Sequence, residues 1–310
     1  MLTVLTRELL VSFRRGTPHA LITANALVLA ALAAAVAAVS ASVSPWVAPS
    51  IGATSSPTPT NLISTLVGWR GPGLFLLLSA WLALLSAFVA PAAGARTVTA
   101  ERTDATLELL VGSGVKPIAL AVGKWLGACA QVLLVLASGA PAYALAWLFG
   151  GVPARTVLLT VGLLAAHAAL LVAVGMVAAV LARGELLPTA LGAFVASLIF
   201  FATAAAFVGG ALGGPPALVR LGVANPLLAL VSANAELADA LGKMLGLPSP
   251  GLPQRLTATV AGRPLGAPLT FVIGVLYAGL AVLLLPLVAM LLEPYHPLKT
   301  GRLRRAAVRS

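Results

Sequence analysis

The chain has 310 residues, 60% of them hydrophobic and only 9% charged, too few charges to keep the surface of a soluble domain of this size in water. A net charge of +11 raises nucleic acid as a partner, but on so apolar a chain basic residues belong at the cytoplasmic face of a membrane, and no nucleic-acid partner is expected. The single cysteine, Cys129, lies inside an apolar run, which excludes a disulfide framework and a thiolate metal cluster.

The remaining solvent is lipid, where a spanning helix needs about 20 mostly apolar residues and a charge at mid-membrane costs at least ~2.5 kcal/mol. Runs free of Asp, Glu, Lys and Arg occur at 20–45, 71–95, 125–154, 157–182, 186–219 and 264–292. They predict an all-α membrane protein, one transmembrane domain over 1–310, with six transmembrane helices at about 20–45, 72–95, 119–148, 156–182, 186–210 and 266–292. The first run is about twice as long as a signal-peptide core and is read as a retained span.

Ahead of it, residues 1–18 form an N-terminal amphipathic interfacial helix. Leu2, Leu5, Leu9 and Phe13 recur at helical spacing, with Arg7, Arg14 and Arg15 on the polar side, so the helix would lie in the interface plane with its arginines toward anionic head groups. The same residues would also serve as an ordinary basic flank that sets topology.

After span one, residues 48–70 are rich in Ser, Thr and Pro and read as an irregular loop. The stretch 95–111, between spans two and three, holds Glu101, Asp104 and Glu108, three of the eight acids in the chain. Thr99 or Thr103 could cap a short helix at about 99–112 whose first turn carries Asp104. Leu107, Leu110 and Val111 would form its apolar face, Gly112-Ser113-Gly114 would break it, and Pro117 would open the next helix. Such a stretch can be a solvated loop or a docking element for a soluble partner. As an enzyme site it fails, because no nucleophile, His or metal cluster stands beside the carboxylates.

Further along, 149–155 is a tight turn and 183–185 a shorter link, so spans four and five make a hairpin. The outer segment, about 211–265, contains Gly-Gly and Pro-Pro breaks and then Asn225-Pro226 ahead of a helical stretch, 227–245. It is read as an outer-surface helix or a re-entrant pair resting on the bundle. A basic tail, 293–310, follows span six. Thirteen of the nineteen Lys and Arg residues fall on one side if the N-terminus is cytoplasmic, which predicts that both termini are cytoplasmic. No period of 20–50 residues repeats.

Inside the spans, polar side chains are few: Asn25 in span one, Gln131 in span three and His167 in span four. His167 is read as an interhelical hydrogen bond in preference to a proton relay.

The stretch between spans two and three resembles the signature of type-2 ABC transporter permeases, the membrane subunits of ATP-driven exporters. Glu101-Arg102, Thr106, Glu108-Leu109-Leu110 and Gly123-Lys124 stand at matching spacing, with departures at Ala105, where Gly is usual, and Gly114, where Pro is usual. The motif covers about 25 residues; the layout of an interfacial helix, six spans and a long outer segment is similar over the whole chain. The resemblance implies that 99–112 is a cytoplasmic coupling helix seated in a cleft of a separate ATPase subunit, with Glu101, Arg102, Thr106, Glu108, Leu109, Leu110 and Lys124 as the docking set. Arg7, Glu8, Arg14 and Arg15 would support that contact. It also implies a second permease copy or a related permease, with spans one and five facing it. The chain has no Gly-x-x-x-x-Gly-Lys-Ser/Thr loop, so ATP and Mg are expected in the partner, and no cofactor or catalysis in this chain. The expectation is therefore a multi-pass permease of the cytoplasmic membrane. An ion-driven carrier and a non-transporting scaffold are the competing readings, and a carrier would usually place acids near the midplane.

Overall fold

The computed structural model describes residues 17–47, 70–103, 116–148, 152–182, 186–211, 222, 224–232, 259–260, 263–264 and 269–292. The interfacial helix 1–18 except its last two residues, the motif segment from 104 to 115, most of the outer segment and the tail 293–310 lie outside them. The helices are α1 Thr17–Val47, α2 Arg70–Thr103, α3 Pro117–Ala137, α4 Ala140–Leu148, α5 Ala154–Leu181, α6 Leu186–Ala211, α7 Pro226–Ser232 and α8 Leu269–Leu292. A two-residue antiparallel ladder joins β1 Thr259–Val260 to β2 Arg263–Pro264, beyond the helical stretch expected at 227–245.

Among the described residues, five stretches are long and apolar enough to cross a membrane: Gly71–Thr103, Pro117–Leu148, Ala154–Leu181, Leu186–Ala206 and Leu269–Leu292. They correspond to expected spans two to six. Expected span one falls in α1, where the apolar stretch among the described residues, His19–Ala35, is shorter. In lipid, backbone N–H and C=O groups must be paired internally, which is why runs of this composition form helices.

Two boundaries differ from the sequence expectation. First, α2 does not end at 95 but continues to Thr103. Thr99 is therefore an interior residue rather than an N-cap and Thr103 is the last residue of α2, its hydroxyl donating to the Thr99 carbonyl at 3.0 Å. Nothing between Ala95 and Thr103 breaks a helix, and other helices provide partners for Glu101 and Arg102. Second, expected span three is divided: α3 ends at Ala137, and α4 starts at Ala140 after Ser138-Gly139. Pro117 opens α3 at its first turn, where the missing N–H would have been unpaired anyway.

α5 is the hub, packed against α2, α3, α6 and α8. Its crossing with α2 is a backbone contact. A Cβ on Gly94 would lie 2.1 Å from the Val172 carbonyl oxygen, and one on Gly175 would lie 2.0 Å from that of Pro91. Only glycine permits that approach. Gly192 of α6 closes on the same point, its would-be Cβ 3.4 Å from Gly175 Cα and 3.2 Å from Pro91 Cβ.

α7 is buried rather than surface-lying. Leu228, Ala229, Leu230 and Val231 form one apolar cluster with Leu163 of α5 and Leu269, Ile273 and Tyr277 of α8. Its N-terminus is held by Asn225, whose side-chain oxygen accepts from the Leu227 N–H at 2.9 Å. The Asn225 amide nitrogen donates to the Phe200 carbonyl at 2.7 Å and the Thr203 hydroxyl at 2.9 Å. The Tyr277 hydroxyl, from α8, donates to the Ala224 carbonyl. Residues 224–232 thus pack onto the bundle.

Candidate functional site

The charged end of α2 gathers three of the residues singled out in the sequence. Because the helix runs on to Thr103, Glu101 and Arg102 sit in its last turn and face different neighbours. Glu101 meets Lys124 of α3, Nζ to Oε1 2.8 Å, and Lys124 also donates to the Thr97 carbonyl at 2.8 Å. Lys124 is fully buried and Glu101 is 7% exposed. An ion pair withdrawn this far from water is tolerated only with close geometry and further hydrogen bonds, and the Thr97 carbonyl provides one. Thr97 is itself anchored, its hydroxyl donating to the Gly94 carbonyl at 2.8 Å, one turn from the glycine crossing.

Arg102 turns toward the end of α5. Nη1 donates to the Ala179 and Ala182 carbonyls at 2.5 and 3.1 Å, and Nη2 to the Val180 carbonyl at 3.2 Å. The chain leaves α5 at Ala182, which is extended at φ −97°, ψ 157°, so these carbonyls lack the next helical turn. A guanidinium at a helix C-terminus satisfies them and opposes the negative end of the helix dipole. The ends of α2, α3 and α5 are thus joined by charge: Glu101–Lys124 closes α2 on α3, and Arg102 closes α2 on α5. Both charges come from the first two residues of the motif.

Thr106, Glu108, Leu109 and Leu110 of the docking set, and Arg7, Glu8, Arg14 and Arg15 of the interfacial helix, lie outside the described residues. Lys116, at the start of α3, and Arg96, on α2, are exposed on the described surface.

The intramembrane polar residues have different environments. Asn25 is a three-way joint: its amide nitrogen donates to the Val135 carbonyl at 3.0 Å and the Ser138 hydroxyl at 2.8 Å, and its oxygen accepts from Trp81 Nε1 at 3.0 Å. It therefore ties α1 to α2 and to the break between α3 and α4. Gln131 is half-buried on α3. His167 does not make the expected interhelical hydrogen bond: neither ring nitrogen has a partner among the described residues. Its ring packs against Tyr277 of α8, centroids 5.3 Å apart and planes at 43°.

Sequence reasoning missed the Arg102 clamp, the glycine crossing, the Asn225–Tyr277 knot and the Trp125 Nε1 bond to the Ala169 carbonyl at 2.9 Å. The Asn225-Pro226 pair was visible as a helix start, and the knot begins there. Among the described residues, no three His, Cys, Asp or Glu side chains gather as a metal site. Compared with known proteins, the chain matches no family model, no curated protein and no solved structure.

Proposed function

We propose that the chain is the permease subunit of an ATP-driven transporter of the type-2 ABC kind, an exporter, working with separate ATPase subunits and a second permease. In this reading α1 is the first of six spans, and both termini and the motif segment 99–112 are cytoplasmic. The ATPase, with its ATP and Mg, presses on the motif segment, and the lipid bilayer surrounds the rest.

The observation that carries the reading is how the motif is rooted. Glu101 and Arg102 open it, and each is tied to a different helix, Glu101 to Lys124 of α3 and Arg102 to the end of α5. A push on residues just beyond Thr103 would reach α2 directly, α3 through the ion pair and α5 through the clamp. Through the short link 183–185 it would reach α6 as well. In such a machine, ATP favours one of two arrangements of the ATPase pair and the rooted segment passes that bias to the bundle. Glu101 and Lys124 then serve as positioning residues beneath the docking surface, which leaves Glu108, Leu109 and Leu110 to touch the partner.

The test is co-purification from native membranes. The tagged protein should bring down an ATPase of ~25–35 kDa, the size of one or two domains. Glu108→Lys should remove that ATPase and its substrate-stimulated turnover while membrane insertion is unchanged. Normal capture and coupling in Glu108→Lys would reject the docking role. Transport stopped by ionophores and indifferent to vanadate would assign the chain to ion-driven carriers, and no transport at all would make it a scaffold.

A further inference from the structure

Orphaned polar atoms collect on one seam of this bundle. His167 is 6% exposed, Thr160 is fully buried and Thr270 is 1% exposed. Both nitrogens of His167 and the hydroxyls of Thr160 and Thr270 have no hydrogen-bond partner among the described residues. All three residues belong to α5 and α8. These helices run the same way where they touch, because Leu163 of α5 meets Gly274 of α8 and, one turn on, His167 meets Tyr277. Continued back from that pair by seven residues on each helix, the register sets Thr160 opposite Thr270. The seam therefore has two polar levels about 10 Å apart, seven residues at about 1.5 Å each.

Ser197 Oγ on α6 is the other buried hydroxyl without a partner among the described residues, but most described helical hydroxyls are bonded. Thr23, Thr103, Thr203 and Ser79 each donate to the carbonyl four residues back, at 2.7–3.0 Å, the usual resort of a helical Ser or Thr. Tyr143, another buried aromatic, has its hydroxyl on Ser79 Oγ at 2.9 Å. Thr160, in mid-helix, makes no such bond. Buried polar groups in folded proteins are almost always paired, and leaving one unpaired costs about 1–3 kcal/mol. Four orphaned atoms on one seam are too expensive for a dry interface. A buried water satisfies such a set by making about three hydrogen bonds. A neutral imidazole offers one donor and one acceptor, and each threonine offers both.

We propose that the α5–α8 seam is an internal water site with two levels, one between Thr160 and Thr270 and one at His167 beside Tyr277. The water completes the hydrogen bonds of these four atoms. It makes the seam a hydrated polar strip inside the bundle, next to α7, whose cluster shares Leu163 and Tyr277. The site is independent of the docking reading.

X-ray radiolytic labelling of the purified full chain in heavy-oxygen water tests the proposal, since ordered internal water generates hydroxyl radicals beside the side chains it touches. His167 and Tyr277 should incorporate heavy oxygen at rates approaching that of exposed His19, while Tyr143, buried but bonded to Ser79, stays nearly unlabelled. His167 and Tyr277 as inert as Tyr143 would overturn the site. Thermal unfolding in detergent shifts in opposite directions for a hydrated and a dry seam. In a hydrated seam, Thr160→Val and Thr270→Val strip water of a partner and lower Tm. In a dry seam they remove an unpaired hydroxyl and raise it, and a raised Tm would overturn the proposal.

Discussion

Lys124 and Glu101 form an ion pair 2.8 Å long in which the ammonium is fully buried. The pair joins the last turn of α2 to the second turn of α3, so it ties together the two helix ends that flank residues 104–115 in the chain. In the permease reading, the base of the docking segment is built as firmly as the core. Its charges are a structural foundation before they are a recognition surface.

The first prediction concerns this pair. Lys124→Met leaves Glu101 buried without its cation, and Glu101→Gln leaves Lys124 without its anion. Breaking one partner of a buried pair costs about 3–5 kcal/mol. The double variant Glu101→Gln/Lys124→Met should recover much of that loss, because no uncompensated charge is left. A denaturation cycle in detergent measures the coupling; additive single effects would show that the two charges do not act as a pair.

Arg102 gives a second, local prediction. Its bonds to Ala179, Val180 and Ala182 close the end of α5, and hydrogen bonds to a charged group contribute roughly 1.5–3 kcal/mol together with the desolvation they offset. Arg102→Ala should free the last turn of α5, with faster amide exchange around residues 178–182 and little change near Leu163. Arg102→Lys should recover only part, because an ammonium cannot fork across three carbonyls. Uniform acceleration along α5 would mean that the clamp acts on the whole bundle rather than on the helix end.

How far the fold could be read in advance follows from whether each partner is near in sequence. The charge-free runs located the five long spans, and Pro117 marked the start of α3, because hydropathy and the missing proline N–H are local properties. The continuation of α2 through Arg96, Thr97, Glu101 and Arg102 reads from the sequence as the end of a span followed by a separate short helix from about 99, since polar residues outside a span are ordinarily solvated. Its real partners are Lys124, and carbonyls 77 and more residues away. The break at Ser138-Gly139 was hidden in an unbroken apolar run, and Asn25, which bonds Ser138 from 113 residues away, gave no local sign of it. For His167 the polarity was evident but the outcome was not, because a hydrogen bond and a packed ring share the same sequence.

The glycines at the α2–α5 crossing support a third prediction with its own control. A Cβ at Gly175 would lie 2.0 Å from the Pro91 carbonyl oxygen, whereas one at Gly162, on the same helix, would meet nothing within 4 Å. Gly175→Ala must push the helices apart, and overpacking of this kind costs about 1–3 kcal/mol. Gly162→Ala should be neutral or slightly stabilising, since alanine is the better helix former. Equal melting temperatures for the two variants would mean that the crossing is looser than the backbone contact described.

Asn25 provides the fourth prediction, which asks whether α1 belongs to the bundle or only rests against it. Its side chain is 3% exposed and bonds Val135, Ser138 and Trp81, so α1 is latched to two other elements by one residue. Hydrogen bonds between membrane helices are individually weak, on average about 0.6 kcal/mol, and packing of Leu29 and Ala33 against α2 would hold α1 nearly as well alone. Asn25→Leu keeps the volume and removes all three bonds. It should lower stability by roughly 1–2 kcal/mol, the sum of three such bonds, and strip the Trp81 indole of its acceptor. Trp81→Phe in the Asn25→Leu background should then cost less than it does alone, because the bond it removes is already gone. If Trp81→Phe is equally damaging in both backgrounds, the Asn25 contact contributes nothing and α1 is held by apolar packing alone.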